Sequence, residues 1–334
     1  MRFFKYFIKN LYLCVFVGEK ECSIYGQFVK NGKNLNAIQA DFEIVGEHID
    51  FKFNDYVKKH SKDANTTYTA LLLNTPKQWA LPVSDRIGYN KFGVNFNEVN
   101  VLSMPGGWSI FIPKDEIQAQ LHFLNGLKID LLYSPFSILY DKINEFRADE
   151  RVTLYAYIQG DSCAMMVFKE LEMKFGAFYN NNSDKGDVKQ DDENLAPINI
   201  AEIDNIIAKE DDKFNALNTL SELSTDNDID TFEDISKTQE YERNESDAQA
   251  NLERLGQSGQ MLLNIKDAIS DYYKNPLYDS NFVEKIVIFD STGAMDEQNL
   301  IDIISNELCI ETIVFKADKY KDALNIISKE LKEC

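Results

Sequence analysis

Leu11-Tyr-Leu-Cys-Val-Phe-Val17, Cys22-Ser-Ile-Tyr-Gly-Gln-Phe-Val29 and Leu35-Asn-Ala-Ile-Gln-Ala-Asp-Phe-Glu-Ile-Val45 follow one another with only short polar turns between them. The first run is continuous and apolar, as a strand buried on both faces should be. Gly18-Glu-Lys-Glu21 makes the first turn, and Asn31-Gly32 marks a tight hairpin. The same succession returns as Val152-Thr-Leu-Tyr-Ala-Tyr-Ile158, Cys163-Ala-Met-Met-Val-Phe168 and Met173-Lys-Phe-Gly-Ala-Phe-Tyr179. A three-stranded meander is therefore written twice.

Working outward, each meander is followed by alternating strands and helices. In the first half, Trp108–Ile112 reads as a strand. A helix after Pro113 carries Ile117, Leu121 and Leu124 on one face. Ile129–Tyr133 is a strand, and Pro135 opens a helix with Phe136, Leu139, Tyr140 and Ile143. In the second half, helix Met261–Tyr273 leads to strand Ile286–Phe289. A helix with Leu300, Ile301, Ile304 and Leu308 follows, then strand Ile310–Phe315 and a last helix with Tyr320, Leu324, Ile327 and Leu331. Both halves read β-β-β-(insert)-β-α-β-α, an α/β chain with partly parallel sheets. The expected lobes are 1–148, with an insert at 46–107, and 149–334, with an insert at 180–257.

Composition agrees with that division. The 334 residues carry 55 Asp+Glu against 35 Lys+Arg, for a net charge of −20. Residues 181–254 hold 21 of the acids and 7 of the bases, leaving the rest only mildly acidic. A segment of that balance cannot bury enough apolar area to offset its ordering entropy, so a partly disordered insert is expected. The acidity excludes a direct nucleic-acid binder, which needs a concentrated basic face. Three histidines (His48, His60, His122) rule out a histidine-rich metal centre, and no metal site is expected. Five cysteines without a CxxC pair fit free thiols in a reducing compartment. No run of about 18 apolar residues occurs, so no membrane-spanning helix is expected. Residues 1–9, with Arg2, Lys5 and Lys9 among Phe3, Phe4, Tyr6 and Phe7, read as a lead-in packed on the body or as a weak membrane-touching segment.

Two copies of this element order describe the duplicated actin-like (ribonuclease H-like) fold. Within it, Lys114-Asp-Glu-Ile-Gln-Ala-Gln-Leu-His-Phe-Leu-Asn-Gly-Leu-Lys-Ile-Asp-Leu-Leu-Tyr133 is similar to the helix, short Gly-Leu turn and outgoing strand of the PilM/FtsA family and of the cytoplasmic domain of type II secretion L subunits. Lys285-Ile-Val-Ile-Phe-Asp-Ser-Thr-Gly-Ala294 resembles that family's adenosine-side strand and loop. The resemblance implies a phosphate grip made of two hairpin turns, each with an Asp at the strand end. Here Phe16 and Tyr157 stand at those two positions, and Glu19 and Glu21 crowd the first turn with acid. If nucleotide still binds, the resemblance points to Gly18, Lys20, Gly160, Asp161, Ser162 and Gly293 around it.

The lost acids favour a protein that kept the fold and dropped the chemistry: no catalytic residue, no obligatory cofactor and no enzyme activity. The resemblance then implies a cytoplasmic scaffold, peripheral at the inner membrane, in a type IV pilus, type II secretion or DNA-uptake (natural transformation) machine. Its partners would be the cytoplasmic tail of a single-span inner-membrane assembly protein and a cytoplasmic motor ATPase. Trp79 and Trp108 are the candidate contacts, because tryptophan is favoured as an interface anchor. The alternative is an active actin-like ATP-binding protein, an ATPase or kinase relative. A polymerising division-type protein is the weakest reading, since Tyr320–Cys334 looks like a body helix.

Overall fold

The computed structural model describes residues 9–18, 21–46, 48–124, 127–146, 150–180, 256–293 and 295–333. The acidic insert expected at 180–257 therefore lies, apart from its ends, outside the described residues.

The first meander forms as β1 (Lys9–Val17), β2 (Glu21–Lys30) and β3 (Lys33–Val45), all antiparallel. Asn31 and Gly32, at φ 55° and 71°, close the β2–β3 hairpin in the left-handed conformation such a turn requires. After the two-residue β4 (His48–Ile49) comes helix α1 (Lys52–Ser61), which buries Phe53 and Val57 one turn apart. Then β5 (Thr66–Leu72) runs parallel to β1. The sheet is completed by β9 (Leu131–Tyr133), parallel to β5, and its order is β4-β3-β2-β1-β5-β9.

The second sheet repeats this plan. Strands β10 (Thr153–Gln159), β11 (Ser162–Lys169) and β12 (Glu172–Asn180) are antiparallel, and β13 (Lys285–Asp290) and β14 (Glu311–Lys316) add in parallel beside β10. The order is β12-β11-β10-β13-β14. Helices α3 (Lys114–Phe123) and α4 (Pro135–Phe146) flank β9 in the first half. A helix over 256–274 (α5), α6 (Glu297–Leu308) and α7 (Lys319–Glu333) flank β13 and β14 in the second. Two sheets of matching order and polarity, in one chain, make the duplicated actin-like fold. Both belong to one compact unit formed by residues 1–182 and 251–334.

One position differs from the sequence reading. The fourth place in the first sheet is filled by β5, not by Trp108–Ile112. Those residues lie in β8 (Trp108–Pro113), which pairs antiparallel with β6 (Trp79–Leu81) and β7 (Val99–Met104) in a separate three-stranded sheet. The insert of the first lobe thus spans about 73–113 and follows the fourth strand. Residues 52–72, read as part of an insert at 46–107, are body. Thr66-Thr-Tyr-Thr-Ala-Leu-Leu72 carries three threonines, whose polarity hides a buried parallel strand.

The insert sheet, with helix α2 (Arg86–Lys91), has a small core of Leu81, Tyr89, Val99 and Phe111. It leans on the second lobe where β6 passes β12. A Cβ at Gly176 would meet the Ala80 Cβ at 2.7 Å and the Ala80 carbonyl oxygen at 3.0 Å.

The two lobes exchange their final helices. Helix α4 packs on β10 and β11 of the second sheet, and α7 packs back on β1 of the first. Phe136, Ile138, Leu139 and Ile143 of α4 share one core with Tyr155, Tyr157, Met166 and Phe168; Ala323, Ile326 and Ile327 of α7 belong to that same core. Replacing Gly176 by Ala should force β12 and β6 apart. The expected loss is about 1–3 kcal/mol of stability, read as a lower urea midpoint at unchanged slope.

Candidate functional site

The chemistry of this fold would sit where β1 and β10 end, beneath the first turn of α7. Phe16, next to last in β1, is 5% exposed and meets Tyr320 edge to face with ring centroids 5.0 Å apart. Tyr320 also stacks on Tyr25 at 4.9 Å, and the Lys319 ammonium lies 5.5 Å from the Phe16 ring centre. From the other lobe, Tyr157 is fully buried and donates its hydroxyl to Asp322 Oδ2 at 3.1 Å. Asp322 Oδ1 accepts from Lys142 Nζ of α4 at 2.5 Å. Phe16 and Tyr157 are therefore engaged by the same helical turn.

Electrostatics follow from this packing. Burial pushes the Tyr157 hydroxyl well above its ordinary pKa, and the neighbouring Asp322 carboxylate adds to the shift. Burial also raises the carboxyl of Asp322, more than its bonds from Lys142 and Tyr157 lower it. A second polar layer fastens the helices farther along. Lys329 reaches Asp141 at 2.5 Å, Asn325 donates to Glu145 at 2.8 Å, and Tyr133 donates to Glu330 at 2.8 Å.

The residues expected around a nucleotide are placed as follows. Gly18 follows β1 and donates its N–H to the Glu21 carbonyl at 2.9 Å; Lys20 lies outside the described residues. Gly160 and Asp161 form the exposed two-residue turn between β10 and β11, with Gly160 at φ 55°. Ser162 is buried, and its hydroxyl donates to the Gln159 carbonyl at 3.0 Å within the same turn. Gly293, at φ 64°, follows a turn in which Asp290 Oδ1 accepts from the Thr292 N–H at 2.8 Å and from its hydroxyl at 2.6 Å. Ser291 ties that turn to β10 by donating to the Ile158 carbonyl at 2.7 Å. Gly160 and Gly293 thus lie beyond the same end of neighbouring parallel strands. The hydroxyls of Ser162 and Thr292 are directed to their own turns, and that of Ser291 to the end of β10.

The tryptophans separate. Trp108 is fully buried between Tyr140 and Phe168, at 5.2 and 6.5 Å, so its reading as a surface contact is corrected to a core position. Trp79 is half-buried and stacks on Phe111 at 6.0 Å. Cys14, Cys22 and Cys163 are buried free thiols. Desolvation, helped by Asp41, pushes Cys22 up to about 12, and burial raises the other two. Thiols so displaced are poor nucleophiles at neutral pH. Among the described residues no three His, Cys, Asp or Glu side chains gather as a metal site.

Sequence reasoning missed an open groove. Helix α7 crosses the first sheet near the ends of its strands and leaves the lower part of that face uncovered. The groove has a volume of about 1410 Å³ and is lined by Tyr12, Tyr25, Gln27, Tyr68, Asn325 and Ser328 among others. The signal was the alternation of Asn10 with Tyr12, Tyr25 with Gln27, and Thr66 with Tyr68, which puts amides, hydroxyls and rings on one face. The matching face of the second sheet is sealed by α4 and Trp108.

The fold is that of a two-lobed actin-like protein, with the aromatic rings of Phe16, Tyr157 and Tyr320 packed where β1 and β10 end. Residues 154–332 match a family profile described as "Domain of unknown function (DUF8341)", and the chain belongs to that family. Residues 7–140 match a second, "Domain of unknown function (DUF8569)". No curated protein matches the sequence. Among solved structures, the chain is similar to a Bacteroides thetaiotaomicron protein of actin-like ATPase fold and unknown function. Identity there is 9%, coverage is 94% of this chain and 93% of that one, and the TM-score is 0.47. A PilM–PilN type IV pilus biogenesis complex gives 9% identity, 93% and 89% coverage and a TM-score of 0.48. The ethanolamine utilization protein EutJ from Carboxydothermus hydrogenoformans gives 11%, 91% and 84%, and 0.38.

The raised carboxyl of Asp322 has a definite pH signature. A folded-state pKa above the unfolded one means that ionisation is easier in the unfolded chain. Stability from this group is then greatest below the ordinary carboxylate pKa and falls as pH rises through the folded value. Urea midpoints measured from acid to neutral pH should show the native protein losing stability relative to Asp322→Asn as pH increases.

Proposed function

We propose that this protein is a non-catalytic scaffold that docks the cytoplasmic tail of a single-span inner-membrane protein, linking a pilus, secretion or DNA-uptake machine to its cytoplasmic motor. The observation that carries the non-catalytic reading is the engagement of Phe16 and Tyr157 by the first turn of α7. Metal-bound triphosphate needs acids and open backbone at these two strand ends. Aromatic rings buried against a helix offer neither. The machine and the partner rest on the sequence similarity of Lys114–Tyr133 to the PilM/FtsA family. Among the described residues no helix is long and apolar enough to cross a membrane.

The groove beneath α7 is the landing place we assign to the tail, since Trp108 is buried. At about 1410 Å³ it exceeds the roughly 300–1,000 Å³ of small-ligand pockets and suits an extended polypeptide segment. Its tyrosines can hydrogen-bond a peptide backbone through their hydroxyls while their rings supply apolar contact.

Two measurements test the proposal. A ligand that binds only the native state must raise the thermal midpoint. Millimolar Mg-ATP should therefore leave the midpoint unchanged, and a rise accompanied by turnover would establish the ATP-binding alternative instead. A pull-down from the host membrane fraction should recover a single-span inner-membrane protein. That recovery should be reduced by Tyr68→Ala and much less by Trp79→Ala; the reverse ranking would move the docking surface to the insert.

A further inference from the structure

One end of the first lobe gathers lysines from several elements on an otherwise acidic protein. The register sets Lys9 of β1 directly opposite Lys30 of β2, and Lys30 directly opposite Lys33 of β3. Like charges facing each other across strands destabilise a sheet, yet none of the three makes an ion pair within 4.0 Å among the described residues. Lys9 instead lies over the Phe28 ring, 3.9 Å from its centre. The turn after α1 arrives at the same place: the Asn65 N–H donates to the Lys9 carbonyl at 2.8 Å, and Asn65 Oδ1 accepts from the Lys9 N–H at 3.1 Å. That turn brings Lys58, Lys59 and Lys62, all exposed and also without an ion pair among the described residues, with Asp63 as the one acid among residues 58–65. The C-terminal dipole of α1 favours Lys58 and Lys59, but nothing in the helix accounts for the row across the sheet. Leu35, 48% exposed, sits two residues beyond Lys33. In sequence, residues 1–8 lead directly into Lys9 and carry Arg2 and Lys5 with Phe3, Phe4, Tyr6 and Phe7.

We propose that this end of the first lobe rests directly on an anionic phospholipid surface, with Lys9, Lys30, Lys33, Lys58, Lys59 and Lys62 as its headgroup contacts. The partner is fixed by chemistry. A bilayer presents many phosphates in a plane, which suits lysines spread over three strands and a helix end, and it accepts an exposed leucine at the interface. The acidity of the rest of the molecule repels the same surface and turns this end toward it. The inference does not depend on tail docking, since it requires no protein partner.

The test is co-sedimentation of the full chain with phosphatidylglycerol/phosphatidylcholine vesicles and with vesicles of phosphatidylcholine alone. Binding should occur to the first only and weaken as salt is raised. A lysine near an anionic surface contributes about fivefold in affinity, so Lys9→Gln/Lys30→Gln/Lys33→Gln should weaken binding on the order of a hundredfold. The separate triple Lys58→Gln/Lys59→Gln/Lys62→Gln should act similarly, and either triple suffices if the other fails to fold. Lys91→Gln/Lys169→Gln/Lys274→Gln, the same charge change elsewhere on the surface, should leave binding intact. Equal binding to both vesicle types, no binding to either, or an equal loss in this control would overturn the proposal. Binding of a soluble polyaspartate peptide in preference to the vesicles would overturn it in favour of an acidic protein partner.

Discussion

The structure depends on a reciprocal exchange of helices. Each half ends in a helix that completes the other half, α4 on the second sheet and α7 on the first. The contact is apolar at its centre, with Leu139, Ile143 and Ile327 in one core. Polar ties from Lys142 to Asp322 and from Lys329 to Asp141 close it at the sides. Of these groups Asp322 is the buried one, so losing Lys142 would leave its carboxyl without its compensating charge, which costs more than the pair contributes. Relative motion of the lobes, which other proteins of two-lobed design use, must therefore break both packing and charge pairing. The Tyr157–Asp322–Lys142 chain crosses from sheet to helix to helix and so constrains three elements at once.

This constraint also decides what the cleft can hold. The first turn of α7 is placed by its own apolar face, through Ala323 and Ile327 on the sheet. Once seated, it brings Tyr320 against Phe16 and Asp322 against Tyr157. An Asp in place of Phe16 would forfeit the edge-to-face contact with Tyr320 and bury a carboxyl beside its ring, so the residue present and the helix position are mutually consistent. The same helix, by crossing only part of the first sheet, leaves the tyrosine-lined groove below it.

Much of the architecture was legible because it is local. The two meanders announce themselves by continuous apolar strands and by Asn31-Gly32, whose left-handed pair fixes one hairpin. The helices after Pro113 and Pro135 and the strand before Asp290 follow from periodicity and punctuation. What escaped is non-local or polar. Thr66–Leu72, with three threonines, lacks the continuous apolar run of a buried parallel strand, yet Thr69 is buried and donates its N–H to Asp130 Oδ2, a pairing from far along the chain. Trp108 looked like an anchor because a strand does not reveal what packs on it. The helix exchange leaves no local trace, since α4 and α7 carry the same apolar stripe they would need to cover their own sheets. At the candidate site, residue types were legible, and the loss of two acids was visible. That Phe16 and Tyr157 meet one helical turn was not.

The crossing has a consequence for how the protein is made. While the ribosome is still adding residues beyond α4, β1 lacks the helix that shields one of its faces. Nearly two hundred further residues separate α4 from the end of α7. At about 5–20 residues per second, that leaves Phe16 and its neighbours uncovered for roughly ten to forty seconds. A nascent first half must therefore wait, half-dressed, until α7 has been made.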